Sequence, residues 1–416
     1  MKLSRRNVTT TVFLVALATR VFHWIMHPFQ LPITGDALEY REFARHLVET
    51  GRYLGPDGAA ASRMPGYPYF LAGVRVLCGD SLAAVFALQC VLGALTCVLL
   101  WDLARRLLGD EWGFLCGLAA GLYANLIFPA VAPLSECLYS FFLVLSVGAL
   151  YRTEWKPLTR AAAYGALSGC LYLVRPEPLP YILATCLLMP SLWPKFARKE
   201  VLAALACLSL VTGLWVGRNF AQFGRLIPAS TVGKSVGYLS LYLPAAKLGL
   251  AGERYAPPAE LDEISRDAAF AVEWKRLAST LTWPQIVKSY AYNLASILYP
   301  FLPAYDWTYA FLAPFWLAGF WIAVRRKDLW PIAGAVICSL SVFTFFGGYA
   351  SRYRQGVSPF IVLLAAVGMK TAYDAAGERR FRLGASAWLG ANVLILLFQG
   401  PARQAALWLR AVSWGH

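Results

Sequence analysis

Long apolar runs recur from Val8 to the C-terminal region, each close to the roughly 17 to 25 residues needed to cross about 30 Å of hydrocarbon. That recurrence makes the chain an all-α polytopic membrane protein, and the runs read as roughly eleven transmembrane helices. Composition agrees: 58% of residues are hydrophobic and 15% are charged, where an ordinary soluble domain has about 25% charged. The first run follows Lys2, Arg5 and Arg6 like a signal peptide. Its apolar region is long, no small-x-small cleavage site follows and many further spans do, so it reads as a retained helix.

The positive-inside rule sets the orientation. Lys2, Arg5 and Arg6 place the N-terminus in the cytoplasm, and Arg105 and Arg106, then Arg152, Lys156 and Arg160, then Lys195, Arg198 and Lys199 fall in alternate short loops on the same side. Arg325 to Lys327 and Arg379 to Arg382 join them only if residues 283–303 lie on the outer surface without crossing. The expected location is a bacterial-type inner (plasma) membrane with the active site extracytoplasmic. The net charge of +15 belongs to loops facing anionic headgroups and calls for no nucleic acid. Nine scattered cysteines without a CxxC pair and four histidines suggest neither a disulfide framework nor a zinc site. The residues demand no cofactor; a divalent metal is compatible with them but unsupported.

Two hydrophilic stretches, residues 28–80 and 218–303, are the outer loops of a module spanning residues 1–303, and residues 304–416 supply C-terminal helices that complete a lipid-donor groove. The terminal "GPARQAALWLRAVSWGH" suits headgroup depth. No internal repeat points to a transporter with a midplane site.

The candidate chemistry lies on the outer side. Tyr40, Phe43, Ala44, Leu47 and Val48 recur with helical period, and Arg41, Glu42, Arg45 and Glu49 share the opposite face, so a helix lies flat on the membrane and ends at Gly51. Asp36 stands where that helix starts, which suits an N-cap as well as a reactive carboxylate; Glu39 could complete a capping box. Arg63 precedes a Pro-Gly-Tyr-Pro turn containing Tyr67 and can serve as a forked phosphate clamp or a snorkelling cation. Glu136 opens a span, where a carboxylate gains from the helix dipole. Arg218, Asn219 and Lys234 lie on a Gly-containing stretch suited to sugar or phosphate, with no P-loop spacing. Arg352 and Arg354 sit on an outer turn against the charge trend, and a basic pair there asks for an anionic partner.

Together "GDALEYREFARHLVETGRY", "SRMPGYPYFLAG", "PLSECLYSFFLVLS", "WVGRNFAQFGRLIPASTVG" and "SRYRQGVSPFIVLLAA" resemble the GT-C superfamily of membrane glycosyltransferases, in the branch of the protein O-mannosyltransferases and lipid A aminoarabinose transferases. The resemblance implies a catalytic role for Asp36, a donor-phosphate role for Arg63 and a catalytic second acid at Glu136. The family has adjacent Asp-Glu where this chain has Asp36-Ala37.

The expected activity is transfer of a sugar from a polyprenyl-phosphate donor to a hydroxyl of a glycan, lipid or protein acceptor, with inversion. Asp36 would be the base. Arg63, Arg218, Arg352 and Arg354 would hold the phosphate; Glu39, Tyr40, Tyr67, Asn219 and Lys234 would meet sugar or acceptor. The alternatives are a transporter or flippase of lipid-linked saccharides, which would carry charge along a central path, and a noncatalytic assembly subunit.

Overall fold

The computed structural model describes residues 4–27, 33, 35–300, 305–347, 351–400 and 404. Among these, every regular element is helical, and six helices are long and apolar enough to cross a membrane, or seven if one bent pair counts as a span. The chain is an integral membrane protein. Other apolar helices, Glu136–Leu150 and Leu179–Leu192, are shorter. The terminal segment 401–416, expected along the interface, lies outside the described residues apart from residue 404.

The described chain forms two compact units. The first contains α1 (Arg5–Met26), α2 (Asp36–Thr50), α3 (Gly66–Cys78), α4 (Leu82–Leu108), α5 (Asp110–Leu122), α6 (Ala124–Ile127), α7 (Glu136–Leu150), α8 (Pro157–Val174), α9 (Leu179–Leu192) and α10 (Arg198–Phe223). Caps and breakers set these ends. Ser4 and Ser81 accept backbone amides at the starts of α1 and α4, and Gly109, at φ 92°, stops α4 after 27 residues, about 40 Å of helix.

Small residues bring the helices together, as expected where lipid removes the hydrophobic drive. Gly165 of α8 lies against the Ala204 carbonyl of α10, leaving no space for a Cβ. The outward face of α10 shows Leu202, Leu210 and Leu214, each at least 65% exposed, which suits hydrocarbon and not water.

α5 and the Ala124–Val131 segment meet at a 71° bend. Breaking a helix at membrane depth releases carbonyls that need donors. α1 and α4 supply them: Thr19 donates to the Gly121 carbonyl at 2.7 Å, Arg20 to that of Leu126 at 2.8 Å, and Gln89 to that of Ala132 at 2.8 Å. Arg20 is fully buried.

The second unit includes α11 (Gly233–Lys247), α12 (Glu263–Thr280) and α13 (Trp283–Leu298). Asp262 caps α12 by accepting from Ile264 and Ser265, both at 2.9 Å. α13 falls in the segment expected not to cross and, at 16 residues, is shorter than the six helices long and apolar enough to cross a membrane. Asn293 anchors it to the carbonyls of Ser240 and Thr344, while Trp283 is exposed. The helices α14 (Trp307–Arg325), α15 (Trp330–Phe346) and α16 (Ser358–Ala376) are each divided between the units, and α17 (Glu378–Leu397) belongs to the second.

Candidate active site

Gly35 starts the site. At φ 61° and ψ −140° it adopts a backbone that side chains rarely tolerate, and its carbonyl accepts the amides of Leu38 and Glu39. Gly35 is therefore the N-cap of α2 and Asp36 its first residue, so of the two readings open for Asp36 the N-cap does not hold. No capping box forms either, because Glu39 turns to an arginine. Both carboxylates remain in the first turn, where the helix dipole favours negative charge. Ala37, Tyr40, Phe43 and Ala44 form the buried face, and Gly51 ends the helix in the left-handed region as expected.

Arg63 joins the acids. Its Nε and Nη2 donate to the two oxygens of Glu39 at 2.8 and 3.0 Å, and Nη2 also donates to Asp36 Oδ1 at 2.8 Å. The guanidinium lies 5.7 Å from the centre of the Tyr40 ring. Burial opposes its charge, but the Glu39 hydrogen bonds and the Asp36 and Glu39 carboxylates outweigh that and raise its pKa. Glu42 and Glu49, expected to face solvent, pair with Arg45 on the outer side of α2.

Arg218 and Asn219 act one layer behind. Arg218 donates to the carbonyls of Ala60 and Tyr53 at 2.6 and 3.1 Å and lies over the Tyr53 and Trp215 rings. Tyr53 in turn donates to the Arg63 carbonyl at 3.1 Å. Asn219 donates to the Ile227 carbonyl. Both side chains thus fasten loop backbone, and Arg218 fastens the loop that presents Arg63. Tyr67, expected to meet a ligand, is fully buried: its ring packs edge-on to Tyr40 and its hydroxyl donates to Gln89 at 2.7 Å.

Glu136 opens α7 with 3% exposure. Arg175, at the end of α8, pairs with it at 3.1 Å and with Glu177 at 2.8 Å. Burial, with Glu136 nearby, pushes the Glu177 carboxyl up against the pull of Arg175. Tyr40 lies between these groups in contact terms: its ring is 5.7 Å from the Arg63 guanidinium and its hydroxyl is 3.5 Å from Ser135, the residue before Glu136. Gly66, at the start of α3, lies against backbone of Leu173 and Val174, which docks the turn after Arg63 onto the turn before Arg175. Sequence reasoning missed Arg175 and Glu177. The usable signal was the one that marked Arg352 and Arg354: an arginine on an outer turn, here with proline on both sides of the following acid.

Lys234, Arg352 and Arg354 belong to the second unit. Lys234 is half-exposed beside Asp267, whose carboxylate accepts the Lys234 and Ser235 amides and occupies the α11 N-terminus where an anion could bind. Arg352 lies near the Tyr353 ring. Arg354 differs from the expected exposed phosphate ligand: it is 1% exposed, pairs with Asp306 at 2.7 Å and donates to the carbonyls of Ile297 and Tyr299. Among the described residues no group of three or more His, Cys, Asp and Glu side chains is arranged to hold a metal; Asp36 and Glu39 converge on a guanidinium.

No family model and no curated protein matches the chain. Its fold is similar to that of an oligosaccharyltransferase from Archaeoglobus fulgidus crystallised with Zn and sulfate, at TM-score 0.55 and 13% identity, over 94% of this chain and 51% of that one. The oligosaccharyltransferase AglB from Archaeoglobus fulgidus, in complex with an inhibitory peptide and a dolichol-phosphate, aligns at TM-score 0.48 and 11% identity over 94% of this chain and 54% of that chain. The chain spans about half the length of these structures. At such identity the likeness is one of fold.

Proposed function

We propose that the chain is a glycosyltransferase that moves a sugar from a polyprenyl-phosphate donor to a hydroxyl acceptor at the extracytoplasmic membrane face. The observation that carries this reading is the convergence of Asp36 and Glu39 on Arg63, beside Tyr40, at the start of a helix with one buried face. The fold likeness to an oligosaccharyltransferase supports it by analogy. The Asp36 end of α2 is taken as outer because the opposite ends of α4 and α7 carry Arg105, Arg106 and Arg152 around Asp102 and Glu154.

In this mechanism Asp36 accepts the proton of the acceptor hydroxyl as that oxygen bonds to the anomeric carbon. The bond from this carbon to the donor phosphate breaks, and the phosphate leaves with the bonding pair. Arg63, fixed by Glu39, pairs with Asp36 and sets positive charge beside the leaving group. One base and direct attack give inversion, by analogy with glycoside chemistry.

The test uses membranes containing the full chain with radiolabelled polyprenyl-phosphate sugars. Wild type should move label to an acceptor, and Asp36→Asn should slow transfer on the order of 10²- to 10⁴-fold. Near wild-type transfer by a folded Asp36→Asn protein would remove Asp36 as the base. Failure of label to leave any donor with wild type would sink the enzyme reading.

A further inference from the structure

Arg175 lies outside the acids and arginines that the proposed chemistry uses, yet it is built into the same wall. It follows α8, its backbone amide still bonded to Leu171, and it precedes the stiff sequence Pro176-Glu177-Pro178. Its guanidinium is 16% exposed between Glu136 and Glu177, which are 3% and 8% exposed, and it lies 5.9 Å from the centre of the Tyr139 ring. An arginine at such a point has few ways to move, because its fork is divided between two carboxylates on different elements.

One of three further contacts reaches the Asp36 helix directly, through Tyr40, and the other two fix the surroundings of the triad. Gly66 bears on the Leu173 and Val174 backbone immediately before Arg175. Ser135, which precedes Glu136, meets the Tyr40 hydroxyl at 3.5 Å. Tyr139, one turn beyond Glu136, is met closely by Gly356, where a Cβ would come within 2.8 Å of the ring. A shift of Glu136 would therefore move the surface on which Tyr40, and with it Arg63, rests.

We propose that Arg175 is a positioning residue for the transfer reaction: it holds Glu136 at the start of α7 so that Tyr40 and the Asp36–Glu39–Arg63 group keep their places. This rests on the glycosyltransferase reading. Arg175 acts through Glu136 and does not touch the reacting atoms. The prediction is thus a loss in turnover without a matching loss in donor binding.

The experiment measures kcat and donor KM for the full chain in detergent or membranes with a radiolabelled polyprenyl-phosphate sugar, alongside thermal unfolding. Arg175→Gln should lower kcat on the order of 100-fold while KM stays within about threefold of wild type. Arg175→Lys, which keeps the charge, should recover at least about a tenth of wild-type turnover. Glu136→Gln/Arg175→Gln should be no slower than Arg175→Gln alone, since both act through one contact. Arg41→Gln, which breaks a surface pair with Asp80, should leave the rate unchanged.

Wild-type turnover in Arg175→Gln, or losses at Glu136 and Arg175 that multiply, would overturn the proposal while leaving the enzyme reading intact. If Arg175→Gln does not fold, Arg175→Lys decides: a KM effect with unchanged kcat overturns the proposal, and a kcat effect with unchanged KM supports it. Wild type that moves no label from any donor refutes the enzyme reading and this proposal with it.

Discussion

Gly66→Ala tests whether the two turns of the site bear on one another. A Cβ at Gly66 would lie 2.8 Å from the Leu173 carbon and oxygen and from the Val174 nitrogen, where ordinary contact begins at 3.4 Å. The difference, 3.4 − 2.8, is 0.6 Å, and the obstructing atoms are backbone, which cannot swing aside as a flexible side chain can. Overpacking of this kind costs roughly 1–3 kcal/mol.

Alanine is also a better helix former than glycine, by at most about 1 kcal/mol. The steric term should win, leaving a net loss of about 1–2 kcal/mol. Gly73 supplies the matched control, because it lies on the same helix with nothing within 4 Å of its would-be Cβ; Gly73→Ala should gain stability by propensity alone.

Thermal unfolding in detergent, followed by tryptophan fluorescence, should thus show Gly66→Ala lowered by a few degrees and Gly73→Ala level or raised. Transfer should fall roughly ten- to a hundredfold in Gly66→Ala, because the Arg63 and Arg175 turns are forced apart by a fraction of an ångström. A Gly66→Ala protein as stable and as fast as wild type would show that the turns are not in contact and would remove the mechanical link between the two ionic groups.

Thr19→Val leaves the Gly121 carbonyl at the bend without its 2.7 Å donor and should lower stability by about 1 kcal/mol. Thr10→Val, whose hydroxyl bonds within its own helix, should change little; equal unfolding temperatures for both variants would refute the bend argument. Glu177 has a folded pKa raised first by burial. A raised carboxyl favours the folded state most below its unfolded value near 4.5, and that contribution is lost as pH rises through the folded value. Wild type should therefore lose more stability than Glu177→Gln as pH is raised from about 4.5 toward neutrality, and parallel unfolding curves would count against a raised Glu177.

The features legible in the sequence were those set by local pattern. The apolar run of α1, the helical stripe behind α2 and its stop at Gly51 follow from residue period and from the conformations glycine alone adopts readily. Asp36 and Arg63 were singled out separately, one as a base and one as a phosphate clamp. Their shared geometry was not visible, because 27 residues separate them and only the loop held by Tyr53 and Arg218 brings Arg63 back over α2.

Side-chain partners escaped the sequence for the same reason. A capping box is a pattern of neighbours, so Glu39 looked like one; Arg63 offered a charged partner instead, and Gly35 already supplied the cap. The sequence by itself determined a helical membrane chain with its acids at helix starts, since span length, apolar period and turn chemistry act over a few residues. Only the tertiary structure decided that Glu136 meets Arg175, that Tyr67 is core and that Arg354 is buried on Asp306. Each depends on which distant helix ends are packed together, and that choice is made by close approaches such as Gly66 on α8, where the energy lies between segments and not within them.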